Sequence, residues 1–272
     1  MGVHSLDKKS LEFRKKILRM IDCARRGHIG SALSIVEIVR VLYEEVLRID
    51  PKNPLWEDRD RFILSKGHGC LALYVALAEK GLIRDEELSK FCEFDSILGG
   101  HPQYGKVPGV EASTGSLGHG LSIGVGIALN GKIDKKDYRT FVLLGDGECN
   151  EGSVWEAAMC ASKHKLNRLI VLIDYNKMQC YGAICEVQNL EPFADKWRSF
   201  GFSVKEVNGH DMVALRDILK NVPFDTGKPQ AIICHTTKGK GIRSLEGHAP
   251  SHHKSKISDE EMKILFEELE NC

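Results

Sequence analysis

The sequence predicts an α/β fold with a largely parallel central sheet and helices on both faces. Three observations carry that expectation. Apolar runs such as Thr140-Phe141-Val142-Leu143-Leu144 and Leu169-Ile170-Val171-Leu172-Ile173 are short and do not alternate with polar residues, the pattern of strands covered on both sides. Segments of helical periodicity separate the runs, as crossovers between parallel strands require. Glycine-rich loops bearing histidines follow several runs, at the strand ends where such sheets bind ligands.

Taken in chain order, the basic cluster Arg14-Lys15-Lys16 alternates with Leu11, Ile17, Leu18 and Ile21 and reads as the wet face of an amphipathic helix. Ile35, Ile38, Val39, Leu42 and Val46 predict a helix over 34–47, stopped by Pro51 and Pro54. Arg61-Phe62-Ile63-Leu64 is strand-like and ends at Lys66-Gly67-His68-Gly69. Helices are expected over 70–80, 86–94, 119–131, 153–164 and 211–220, with strands over 140–144, 169–173, 202–207 and 230–235. One α/β domain filling 1–272 is the expected organisation.

Composition narrows the function classes. Lys plus Arg and Asp plus Glu number 38 each, so no net field favours nucleic acid or a membrane surface. Nine cysteines without a C-x-x-C pair point to reduced thiols rather than a secreted disulfide framework. The apolar runs are far too short to cross a bilayer, and the polar N-terminal residues Asp7, Lys8, Lys9, Glu12 and Arg14 lack a signal-peptide core. A soluble cytoplasmic protein is expected.

The chemistry starts at Gly145-Asp146-Gly147, which places an acid between glycines at the mouth of a buried strand. Alone this motif is better explained by an Asx turn. The next strand ends at Asp174-Tyr175-Asn176, and neighbouring parallel strands bring their C-terminal loops together. Asp146, Asn176 and the backbone carbonyl of Met178 then offer three oxygens to a hard cation, Mg²⁺ or Ca²⁺, with phosphate oxygens and water completing the shell. Asp-Gly, 28 residues, then Asn is a specific spacing.

This segment resembles the thiamine diphosphate-binding motif, and "GDGECNEGSVWEAAMCASKHKLNRLIVLIDYNKMQ" is similar throughout to the corresponding segment of transketolases. So are "DPKNPLWEDRDRFILSKGHG", "GGHPQ", "STGSLGHGLSIGVGIAL" and "TTKGKGI", in the family's order, from about Gly27 to Lys256. The resemblance implies thiamine diphosphate as cofactor. It places Ser31, His68, Gly115, Ser116, Leu117, Asp146, Gly147, Glu151, Asn176 and Lys238 around that cofactor, with Asp146, Asn176 and Met178 on the metal. His28, His101 and His252 fall at the substrate end as catalytic residues, with His253 the adjacent alternative to His252. Glu151 matches the acid that links cofactor sites across the family's dimer, although an acid at a helix N-terminus also suits the helix dipole.

Three departures from the family pattern are Ile29 for Pro, His119 for Gln and Ser251 for Trp. Trp56, Trp155 and Trp197 are expected to be packing anchors, and Asn208-Gly209-His210-Asp211 a turn with a helix cap. The resemblance further implies that the pyrimidine and C-terminal domains lie on a partner chain, since this one ends at Cys272. The expected assembly is α2β2 with a C-terminal transketolase subunit. Its expected reaction is two-carbon ketol transfer from a ketose phosphate to an aldose phosphate. A split thiamine enzyme acting on an unusual sugar or making deoxyxylulose phosphate is the alternative; a non-catalytic binding protein that retains the fold is the second.

Overall fold

A computed structural model of the chain describes residues 6–180, 182–247 and 256–272. The central sheet is built from β1 (Arg61–Leu64), β2 (Thr140–Gly145), β3 (Leu169–Tyr175), β6 (Ser203–Asn208) and β7 (Gln230–His235), in the spatial order β1-β2-β3-β7-β6. Every pairing in it is parallel. The expected α/β class is therefore the observed one, and the strand boundaries lie within two residues of those expected.

Alternate strand residues feed two separate cores. Phe62, Phe141, Ile170 and Ile232 face one side, where α1 (Lys8–Ala24), α3 (Val36–Val41), α4 (Cys70–Glu79), α9 (Met212–Lys220) and α10 (Asp259–Glu270) supply the cover. Ile63, Val142, Val171 and Ile233 face the other, beneath α5 (Gly120–Ile133), α6 (Gly152–Lys163) and α8 (Phe193–Ser199). Burial on both faces explains the unbroken apolar runs. Short elements complete the order: α2 (Ile29–Leu33), the hairpin strands β4 (Met178–Gln179) and β5 (Gly182–Ala183), and α7 (Ile184–Val187).

Helix α5 lies close on the sheet because Gly124 faces it. A Cβ there would stand 2.4 Å from Val142 Cγ2. Gly124→Ala is expected to destabilise the protein by about 1–2 kcal/mol, overpacking exceeding the gain in helix propensity. Urea unfolding checks this; a stabilised variant would show that α5 can shift away.

Several expectations need correction. The helix expected over 34–47 begins at Val36 as α3 and continues past Val41 as a π-helical turn, Leu42–Val46. The 86–94 helix is a 3₁₀ segment, Asp85–Lys90, and Cys92 at φ 62° stops any continuation. Arg14 is not on a wet face but fully buried, its guanidinium paired with Glu37 at 2.6 Å. An ion pair with its remaining donors on backbone carbonyls makes that burial tolerable. Trp197 is a buried anchor packed against Trp155, whereas Trp56 is 37% exposed in the 51–60 loop. Helices α8 and α10 fall outside the expected set, although Ser258 and Glu261 form a capping box that announces α10.

Candidate functional site

The C-terminal ends of β1, β2, β3 and β7 converge because the strands are parallel and in register, Gly145 opposite Asp174 and Tyr175 opposite His235. The loops they release meet the start of α2 around a cleft of about 80 Å³. Several waters' worth of space suits the phosphate end of a ligand. Ser31, His68, Leu117, Asp146, Gly147, Asn176, Met178 and Lys238 all line it, as do Lys66, Glu148, Gln179 and Cys180.

Asp146 caps the 3₁₀ turn Gly147–Asn150. Its Oδ1 accepts the Gly147 N–H at 2.7 Å and its Oδ2 the Lys177 N–H at 2.6 Å. Asn176 Oδ1 accepts the Met178 N–H at 3.0 Å, and its Nδ2 donates to Asp174 Oδ2 at 2.9 Å. That bond to a carboxylate leaves the amide oxygen, rather than the amide nitrogen, toward Met178. The flanking glycines act differently from a turn requirement, since neither has a positive φ. Gly147 is needed for space: a Cβ would stand 2.9 Å from Gln179 Cγ.

Charged groups in the cleft are strongly desolvated. Asp146 is 2% exposed, and burial reinforced by Asp174 pushes its carboxyl up to about 7. Lys238 is equally buried, and desolvation reinforced by Lys66 pushes its amine down to about 8. Among the described residues Lys238 makes no ion pair. Each group behaves as a buried charge without sufficient compensation. The residues that could hold a divalent cation are Asp146, Asn176 and the Met178 carbonyl, and those that could meet an anion are Lys238 and His68. Among the described residues no cluster of three His, Cys, Asp or Glu side chains can hold a metal ion, so such a cation depends on the amide and main-chain oxygens.

Beneath the cleft lies a pair that sequence reading missed. Lys66 and Asp174 form a fully buried ion pair. Lys66 Nζ also donates to Ser31 O at 3.1 Å, and Asp174 accepts from Ser34 Oγ at 2.8 Å and from Thr236 Oγ1. Burial opposes the Asp174 charge, but Lys66 and these donors outweigh it and hold the carboxyl below its ordinary value. One carboxylate thereby joins α2, β1, the Asn176 loop and the loop after β7.

Glu148 is the second missed residue. Its buried carboxylate accepts from Ser65 Oγ, from Gly118 N at 3.0 Å and from Gly145 N at 3.1 Å. Burial nevertheless pushes its pKa up. Glu148→Ala leaves two buried N–H groups unpaired and is expected to destabilise the chain by about 3 kcal/mol, read by urea denaturation. A loss under about 1 kcal/mol would mean that the loops hold without it. The available signal was weak: an acid two residues past Asp146, inside a motif already assigned.

The histidines gather at the rim. The His28 ring lies 5.4 Å from that of His68 and 6.0 Å from that of His101, centroid to centroid. Gly115, at φ 150°, lies against His101, where a Cβ would come within 3.1 Å of the ring. Ser116 is exposed, and His119 turns back onto its own loop, Nδ1 2.9 Å from Leu117 O. Glu151 is exposed at the start of α6 and outside the cleft lining. His252, with His253 and His248, lies outside the described residues.

A family profile described as "Transketolase, thiamine diphosphate binding domain" matches residues 10–269. The chain is 45% identical over 253 residues to an apulose-4-phosphate transketolase subunit of Phocaeicola vulgatus, covering 93% of this chain and 90% of that one. It is 42% identical over 257 residues to a 6-deoxy-6-sulfo-D-fructose transketolase subunit of Clostridium sp., covering 94% and 93%. Among solved structures, the transketolase of Campylobacter jejuni superposes with a TM-score of 0.90 at 32% identity, over 99% of this chain and 43% of that one. The chain thus spans under half the length of that solved transketolase.

Proposed function

Since the chain belongs to the transketolase family as its thiamine diphosphate-binding domain, we propose that it is the diphosphate-holding subunit of a two-chain ketol transferase. A separate pyrimidine-domain subunit would complete the site in an α2β2 assembly acting in the cytoplasm. Support for a partner comes from relatives that are matched along nearly their whole length and are named as single subunits of larger transketolases. Support for the compartment comes from nine free thiols and from the described residues containing no helix long and apolar enough to cross a membrane. The reaction is two-carbon transfer from a ketose phosphate to an aldose phosphate.

The convergence of Asp146, Asn176, Met178, Lys238 and His68 on one cleft carries this reading. Asp146, Asn176 and the Met178 carbonyl would hold Mg²⁺ or Ca²⁺. Lys238 and His68 would donate to phosphate oxygens, with Ser31, Gly115, Ser116, Leu117 and Gly147 lining the cofactor. When bound, thiamine diphosphate supplies the nucleophilic carbon that carries the two-carbon unit. His28, His101 and His252 would orient the sugar hydroxyls and move protons at them, a task suited to imidazole at neutral pH. Glu151, exposed beside Gly118, would face a second cofactor site across the assembly.

The relatives named for apulose 4-phosphate and for a sulfofructose favour a specialised sugar as the substrate within the same reaction class. Co-expression with the partner chain, followed by calorimetry with thiamine diphosphate and Mg²⁺ and an assay of sugar donors and acceptors, tests the proposal. Absence of cofactor binding would overturn it. So would a complex that binds cofactor yet moves no glycolaldehyde unit from any ketose.

A further inference from the structure

The turn Asn208-Gly209-His210-Asp211 does cap a helix, since Asp211 Oδ1 accepts from Val213 N at 2.9 Å and Ala214 N at 3.0 Å at the start of α9. His210 serves another purpose. Its side chain is 8% exposed, its Nδ1 lies 2.8 Å from Glu37 Oε2, and the Thr237 N–H donates to its Nε2 at 2.8 Å. A main-chain N–H can only donate, so Nε2 must present a lone pair and the ring proton must sit on Nδ1, toward the carboxylate. The ring is therefore neutral when this geometry holds.

Arg14 anchors the other side of the same group. It grips Glu37 through bonds of 2.6 and 3.0 Å, and its Nε donates to Lys240 O at 2.8 Å. Burial opposes the Glu37 charge, but Arg14 and His210 outweigh it and hold the carboxyl well below the usual range. Residues 237 and 240 are thus both tied to one buried triad, and Lys238 sits between them.

We propose that His210 is a positioning residue for Lys238: its Nε2 pins Thr237 so that the 236–241 loop presents the ammonium to the cleft. The charged groups around the ring are Glu37 on α3, Arg14 on α1, the adjacent Asp211, and Glu246, itself paired with Lys240 at 3.2 Å. What Lys238 does for a ligand rests on the diphosphate reading above; the pinning does not.

Two variants separate the ring's roles. Gln reaches as far as Nε2 and can accept from Thr237, as in His210→Gln. Asn, in His210→Asn, reaches only as far as Nδ1 and leaves Thr237 unpaired. Hydrogen exchange of the full chain is read over residues 236–241 without cofactor. His210→Asn is expected to lose protection there about tenfold relative to wild type, and His210→Gln to keep it. In the co-expressed complex His210→Asn should weaken thiamine diphosphate binding about tenfold and His210→Gln by under about twofold. A His210→Asn loop as protected as wild type, or a His210→Gln loop as open as that of His210→Asn, overturns the proposal. Unchanged cofactor affinity in His210→Asn overturns its Lys238 part.

Discussion

Asp146→Asn is expected to abolish metal-dependent retention of thiamine diphosphate in the co-expressed complex while leaving the fold intact. The carboxylate is the one anionic member of the proposed cation site, the others being the Asn176 amide and the Met178 carbonyl. Replacing it removes a formal charge that neither neighbour can supply. Supporting groups around metal ligands alter affinity by about 10–100-fold, so loss of a ligand charge should reach at least the upper end of that range. The fold should survive because Asp146 sits in a loop and bonds only the Gly147 and Lys177 N–H groups, one of which an amide oxygen can still satisfy. Gel filtration followed by cofactor quantification, with and without chelator, is the measurement. A variant that still retains cofactor only in the presence of Mg²⁺ would remove Asp146 from the metal.

Lys66→Met should be the most destabilising substitution near the cleft, by about 3–5 kcal/mol, because it strands Asp174 as a buried charge. For a chain of this size that lowers the melting temperature by roughly 10 °C. Asp174 would keep its bonds from Ser34, Thr236 and Asn176, which soften the loss without cancelling it. The double variant Lys66→Met/Asp174→Asn removes both charges and should be more stable than Lys66→Met alone, with a coupling of about 2 kcal/mol. Additive effects in thermal unfolding would mean that the pair is not the element holding α2 and the loops after β1, β3 and β7 in register.

The fold was legible because burial on both faces writes itself into composition. Strands β2, β3 and β7 show unbroken apolar runs, and these could be read without any knowledge of their neighbours. Elements whose conformation depends on contact were less so. The π-helical turn after α3 and the 3₁₀ segment at Asp85–Lys90 look like ordinary helix in periodicity alone. Arg14 looked like surface because the sequence does not show Glu37 waiting opposite it, 23 residues away.

The sequence by itself determined the alternation of strand and helix, the placement of glycine-rich loops at strand ends, and the spacing of Asp146 and Asn176. Those are local matters of backbone freedom, side-chain size and periodicity. Tertiary structure alone decided how the buried charges pair. Lys66 with Asp174, Glu148 with Ser65 and the Gly118 amide, and His210 between Glu37 and Thr237 are partnerships between segments far apart in the chain. A buried polar group is stable only where its partner arrives, and the arrival is fixed by the parallel register of the sheet rather than by residues adjacent in sequence.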